Sequence, residues 1–146
     1  MSWTFEISTG KLYDAGGKCV ATGYAGGGLG KEPEAKDNPA AEPLKGIGPL
    51  PEGRYTLATP VPSSQLGQFA IPLVPDPANQ MYGRSGFYCH GDSIENPGCA
   101  SEGCVIMPRA IREAMWNSPD HDLQVVATYL TSGGTEPRAA GATQVA

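Results

Sequence analysis

The chain has 146 residues, a net charge of −5, and no apolar run near the ~18 residues that would mark a membrane-spanning helix. The acidic balance argues against a nucleic-acid partner, which needs a basic face. With 20 glycines and 14 prolines, nearly twice ordinary usage, the chain should form short strands, frequent turns and long loops rather than a helical bundle.

In chain order, Trp3, Phe5 and Ile7 alternate with Thr4 and Glu6, predicting a strand with one buried face. Leu12-Tyr13 is expected as a second short strand and residues 19 to 24 as a third, giving an antiparallel meander with Cys19 as a core or sheet residue. No basic segment followed by an apolar one opens the chain, so no signal peptide is expected. Residues 25 to 46 predict an irregular loop of the kind that borders functional sites. Its glycines do not make a phosphate-binding loop, because no Lys-Ser, Lys-Thr or helical pattern follows them. Pro51 and Gly53 suit a turn leading into a strand around Tyr55 and Leu57. Residues 58 to 68 are expected as loop, and 69 to 74 as an edge strand because Pro72 cannot donate to a ladder. Residues 108 to 117 predict one helix, with Pro108 in its first turn and Ile111, Ala114 and Met115 on its buried face. Leu123 to Tyr129 predict a last strand. The Gly-, Ala- and Thr-rich residues 131 to 146 are expected to be a disordered tail, leaving residues 1 to 130 as one domain.

One stretch, Arg84 to Arg109, holds one of the two histidines and three of the four cysteines. His90 ends the apolar run Phe87 to Cys89, and Cys104 opens the run Val105 to Met107. Two adjacent strands would then deliver an imidazole and a thiol to one place, as a cysteine nucleophile and its base require. A thiol near its reference pKa of ~8.5 is mostly protonated at neutral pH, and a nearby imidazole can accept its proton. The amides of Gly103 and Cys104 are candidates to stabilise an oxyanion. His121, in the polar segment Ser118 to Asp122, is expected in a solvated loop.

His90-Gly91, followed by Ser101-x-Gly103-Cys104-Val105, resembles the signature of the L,D-transpeptidases with the YkuD-like fold. Gly48-Pro-Leu-Pro-Glu-Gly-Arg-Tyr-Thr-Leu57 is similar to that family's Pro-x-Gly-x-Tyr/Phe strand. Over residues 3 to 130 the chain more closely resembles the small L,D-transpeptidase effectors of the type VI secretion system. They share its Trp-aromatic opening strand, Gly23-Tyr24, and Gly-Arg-x-Gly-Phe before His-Gly-Asp-Ser. Two departures stand out: Glu102 occupies the place of a motif histidine, and Ile106 that of a frequent arginine, whose role Arg109 would then take.

The resemblance implies a mainly β, sandwich-like fold with one short helix after the cysteine and long loops. It implies a Cys104 nucleophile, His90 as base, and Ser101 or a neighbouring carbonyl orienting the imidazole. Arg84 is a candidate to grip a substrate carboxylate, with Arg109, Tyr88 and Asp92 flanking the site; no cofactor and no metal is implied. The implied substrate is the stem peptide of bacterial peptidoglycan, turned over by L,D-carboxypeptidase or L,D-transpeptidase chemistry. The protein would be made in the cytoplasm, exported by the type VI machinery, active in the periplasm of a target cell, and countered there by an immunity protein.

Three other readings compete. Cys89, His90, Cys99 and Cys104 are potential zinc ligands, although neighbouring strand residues face opposite ways and no Cys-x-x-Cys hook is present. Cys104 paired with His121 would make a different Cys-His peptidase. Glu102 in the motif also leaves room for an inactive binding module. Cys99 is a candidate to pair with Cys19 or Cys89 in an oxidising compartment.

Overall fold

The computed structural model describes residues 2 to 63 and 66 to 129. The tail expected at residues 131 to 146 lies outside the described residues. The fold is mainly β. Its strands are β1 (Ser2–Glu6), β2 (Lys11–Tyr13), β3 (Cys19–Thr22), β4 (Tyr24–Ala25), β5 (Gly53–Leu57), β6 (Val61–Ser63), β7 (Gly67–Pro75), β8 (Tyr88–His90), β9 (Val105–Ile106) and β10 (Asp122–Val126), with helix α1 (Arg109–Asn117) between β9 and β10.

These strands form one hydrogen-bonded path in the order β3-β2-β1-β10-β5-β7-β8-β9-β4, with β6 added onto β7. Most neighbours are antiparallel, whereas β1–β10 and β8–β9 are parallel. The ends of the path, β3 and β4, are separated in the chain by Gly23 alone. The sheet therefore curls round a single core as one mixed sheet. Phe5, Leu12, Leu50, Tyr55, Ile71, Val105, Met115 and Leu123 are fully enclosed in that core. Burying each large apolar side chain contributes about 1.5–3 kcal/mol.

Several expectations change at close range. The strand expected over 19 to 24 divides at Gly23, and its second part leaves β2 to pair with β9. A Cβ on Gly23 would lie 1.8 Å from the Ile106 carbonyl oxygen, so glycine allows this crossing. Cys19 is in a strand but exposed. β1 is buried on both faces, with Trp3 and Phe5 in the core and Thr4 and Glu6 covered on the other side. Its Glu6 carboxylate accepts from Thr9 Oγ1 (2.6 Å), the Tyr13 hydroxyl (3.3 Å) and the Tyr129 amide (2.8 Å).

No hydrogen-bonded turn forms over residues 50 to 53. Leu50 instead donates to the Gly103 carbonyl (3.0 Å), tying this segment to the loop before β9. Part of the loop expected over 58 to 68 forms β6. β7 is an interior strand rather than an edge. Pro72 is tolerated there because its missing N–H faces the side where β5 has ended at Leu57; its carbonyl accepts from the Ala58 amide (3.0 Å) on that same side. In α1 the buried pair is Arg112 and Met115, while Ala114 is exposed.

Residues 26 to 47 form three short 3₁₀ turns, Gly28–Gly30, Pro33–Ala35 and Pro39–Ala41. The Asn38 side chain caps the third by accepting from the Ala40 amide (3.0 Å). Leu29 from this segment reaches the cleft described next.

Candidate active site

Parallel pairing of β8 with β9 sets Cys89 opposite Val105 and His90 opposite Ile106. Cys89 and Val105 enter the core. Side chains alternate along a strand, so Cys104 and His90 take the other face as diagonal neighbours. Both line an open cleft of about 820 Å³, walled also by Leu29, Gly67, Ile94 and Glu102. A second cleft of about 310 Å³, lined by Lys45, Phe87 and Tyr88 among others, meets the first at Glu102 and Cys104. The thiol thus stands where two clefts join.

The loop ahead of β9 is held by two side chains. Ser101, fully buried, donates its hydroxyl to the Cys104 carbonyl (2.7 Å) and accepts from the amides of Gly26 (2.8 Å) and Gly103 (3.0 Å). Ser101 therefore braces the cysteine turn and makes no bond to His90. The Gly103 amide, expected to face an oxyanion, is engaged by Ser101, which leaves the Cys104 amide of the expected pair. Gly103 itself has φ +143°, and a Cβ there would lie 2.7 Å from an Arg84 nitrogen and 2.8 Å from the Phe87 ring. Only glycine fits that backbone and that gap.

Arg84 is buried. Its terminal nitrogens donate to the carbonyls of Glu42, Pro49 (2.8 Å), Gly48 (2.9 Å) and Glu102 (3.2 Å). All four terminal N–H groups are occupied, so Arg84 lacks the pair of free donors that the expected bidentate grip on a substrate carboxylate needs. The guanidinium instead fastens residues 42 to 49 to the cysteine turn, with its plane over the Phe87 ring at 5.1 Å.

The electrostatics leave both reactive groups neutral at rest. Burial pushes the Cys104 thiol up to about 11; the Tyr88 amide, which donates to Sγ at 3.3 Å, opposes this, while Glu102 adds to it. His90 is held below the ordinary imidazole value, first by burial and further by the charge of Arg112, against the pull of the Gly91 carbonyl and Asp92. His90 Nδ1 lies 2.9 Å from that carbonyl. A carbonyl only accepts, so Nδ1 carries the proton and Nε2 is left as the basic nitrogen. The imidazole's orienting partner is thus a neighbouring carbonyl rather than Ser101.

Asp92 closes the loop that follows. It accepts from the Tyr24 hydroxyl (2.6 Å) and from the amides of Ser93 (2.8 Å) and Gly98 (3.1 and 3.0 Å). Burial opposes its ionisation, but these bonds prevail and hold its carboxyl below the usual range. Arg109 does not line the Cys104 cleft. It is exposed, pairs with Glu113 at 2.9 Å and lies over Phe69 at 5.0 Å. The arginine beside His90 is Arg112, which packs against Gly91 from outside the two clefts and whose place the sequence reading missed. The signal was available, since Arg112 shares a helical face with Met115 and Trp116.

His121 is stacked on Trp116 with ring centroids 4.2 Å apart, and its Nε2 is 2.8 Å from the Trp116 carbonyl. It is thus a packed side chain rather than a solvated one, and it lines neither cleft at Cys104. All four cysteines are free thiols. Cys89, fully buried, has its thiol pushed up to about 12 by burial. Among the described residues no three His, Cys, Asp or Glu side chains gather as metal ligands. No helix among them is long and apolar enough to cross a membrane.

Taken together, these features define a thiol–imidazole site on a mainly β scaffold. A family model described as the Tlde1 domain matches residues 22–129. The chain belongs to this Tlde1 domain family, a group of type VI secretion effectors associated with enzymatic action on peptidoglycan. No match was found among the curated proteins or among the solved structures.

Proposed function

We propose that the protein is a cysteine L,D-carboxypeptidase and L,D-transpeptidase that acts on peptidoglycan stem peptides in the periplasm of a target bacterium. The observation that carries this reading is the shared cleft of His90 and Cys104, joined at the thiol by a second cleft. As Sγ attacks the carbonyl of the stem peptide's third, L-configured residue, His90 Nε2 accepts the thiol proton. A neutral pair suits this order, because the proton moves during attack rather than before it. With the Gly103 amide engaged by Ser101, the Cys104 amide is the donor left for the developing oxyanion. Collapse breaks the peptide bond, and His90 returns its proton to the departing amine of the terminal D-amino acid, leaving a thioester on Cys104. Water, deprotonated by His90, then adds to the thioester and releases an acid and the thiol. An amine entering by the second cleft would release an amide instead.

In this reading Arg84 and Ser101 hold the nucleophile's turn, Asp92 shapes the cleft wall, and Tyr88 contributes its amide to the sulfur. The protein would be delivered by the type VI machinery, and an immunity protein in the periplasm would block the cleft.

Mass analysis of stem peptides after incubation tests the chemistry. Cys104→Ala and His90→Ala should each lower turnover by at least ~10³-fold in folded protein, whereas His121→Ala should leave it near wild type. Substantial turnover by folded Cys104→Ala would refute the mechanism. The rate should rise with pH through the depressed titration of His90, so its acid limb lies below the ~6.5 of an ordinary imidazole. A copy carrying a secretion signal should lyse a Gram-negative host, while the cytoplasmic copy should be harmless.

A further inference from the structure

We infer that Arg112 is a positioning residue for His90, bonding from helix α1 to the backbone at Met107, Gln68 and Phe69 and packing against Gly91 beside the imidazole. This deepens the proposed function and rests on its assignment of His90 as the base. Nε of Arg112 donates to the Met107 carbonyl at 3.0 Å, and the Met107 amide donates to the His90 carbonyl, also at 3.0 Å. One terminal nitrogen donates to the carbonyls of Gln68 (2.9 Å) and Phe69 (2.8 Å), directly after Leu66 and Gly67 of the cleft wall. The other packs against Gly91, where an added Cβ would stand 2.8 Å from it. Gly91 supplies the carbonyl that accepts from His90 Nδ1. One side chain therefore fixes the β9 end, the β7 start and the residue that sets the imidazole's tautomer.

The geometry also brings charge to the base. Arg112 is only 6% exposed, and its hydrogen-bond partners are carbonyls rather than carboxylates. Its positive charge thus acts on the imidazole in a low-dielectric surround. The other charged or titratable groups about His90 are Asp92, on its own segment, and Cys104, Glu102 and Glu95 in the cleft. Among these, Asp92 is the group that draws His90 toward the charged form. Arg112 counters it, so His90 stays neutral and able to accept a proton in mildly acidic surroundings.

Two variants separate grip from charge. Arg112→Gln removes the charge and most of the grip; Arg112→Lys keeps the charge and loses the fork. Proton NMR of the imidazole Cε1–H, read as a pH titration, follows His90 whether or not the protein turns over any substrate. In Arg112→Gln the titration should move to higher pH, and stem-peptide turnover should fall ~100-fold, as misplacement of a catalytic group by about 1 Å can cause. In Arg112→Lys the titration should stay near wild type and turnover should fall ~10-fold. Identical His90 titrations in wild type and folded Arg112→Gln overturn the inference. If Arg112→Gln does not fold, wild-type turnover by Arg112→Lys overturns the positioning role, and a His90 titration at or above ~6.5 in the unaltered protein overturns the electrostatic one. A shifted titration together with wild-type protein inert on stem peptides would support Arg112's action on His90 while rejecting the substrate.

Discussion

Arg84 and Arg112 are both buried, and both point their donors at backbone carbonyls on either side of the cysteine–histidine pair. Arg84 lies on the Cys104 side. Its four terminal N–H groups are all taken, an aromatic ring lies against its plane, and Glu42 stands close by. Arg112 lies on the His90 side, holding carbonyls with Nε and one terminal nitrogen while the other rests against Gly91. The first guanidinium is a fastener enclosed by carbonyls and an aromatic ring. The second is a fastener whose charge reaches the imidazole. The same residue type thus fixes a turn in one place and biases a proton in the other.

Breaking the first fastener should have the larger effect on stability. Arg84→Met leaves four carbonyls without their donor and should cost about 4 kcal/mol, read as a shift in denaturation midpoint. A loss under about 1 kcal/mol would mean that water replaces the guanidinium. Gly103→Ala should follow at about 3 kcal/mol, because it adds a left-handed backbone strain to a Cβ lodged between Arg84 and Phe87. The matching change on the other side, Gly91→Ala, meets only the end of a flexible side chain and should cost about 1 kcal/mol. Equal losses at the two glycines would erase the contrast.

The smallest effect is a pH slope confined to the Arg84 side. Burial, together with the hydrogen-bonded Glu52 carboxyl, raises Glu42 to about 8. The folded state then binds a proton more tightly than the unfolded chain, whose carboxyl has a value near ~4.3. This contribution to stability is complete below the unfolded value and is lost as pH rises toward about 8. Stability measured by unfolding from pH 5 to 8 should fall steadily in wild type and change less in Glu42→Gln, whose neutral amide can still accept from the Glu52 amide. Equal slopes in the two proteins would remove Glu42 from the account.

Much of this was legible in the sequence, and the reasons are local. Alternation around Trp3, Tyr55 and Leu123 marked strands, and the helix announced itself by Pro108 and its apolar spacing. His90 and Cys104 stood out because short apolar runs placed them at strand ends. What escaped depends on partners distant in the chain. The division at Gly23 follows from contact with Ile106, the interior place of Pro72 from where β5 stops, and the bonding of Ser101 from Gly26. Arg112 escaped for the same reason, since the carbonyls that let it be buried belong to residues 68, 69 and 107. Arg109, nearer the cysteine in sequence, was the natural but misplaced choice.

The position of β10 bears on how the molecule comes into being. It lies between β1 and β5, pairing in parallel with a strand made some 120 residues earlier. On the ribosome, a nascent chain that has not reached Asp122 holds β1 and β5 with a strand-wide gap between them, each edge bare. Closing that gap is a late, long-range event and carries the slow kinetics of high contact order. A fragment ending before residue 122 should remain open and prone to pair with other chains, and the molecule becomes self-contained only once its last described strand slots into the middle.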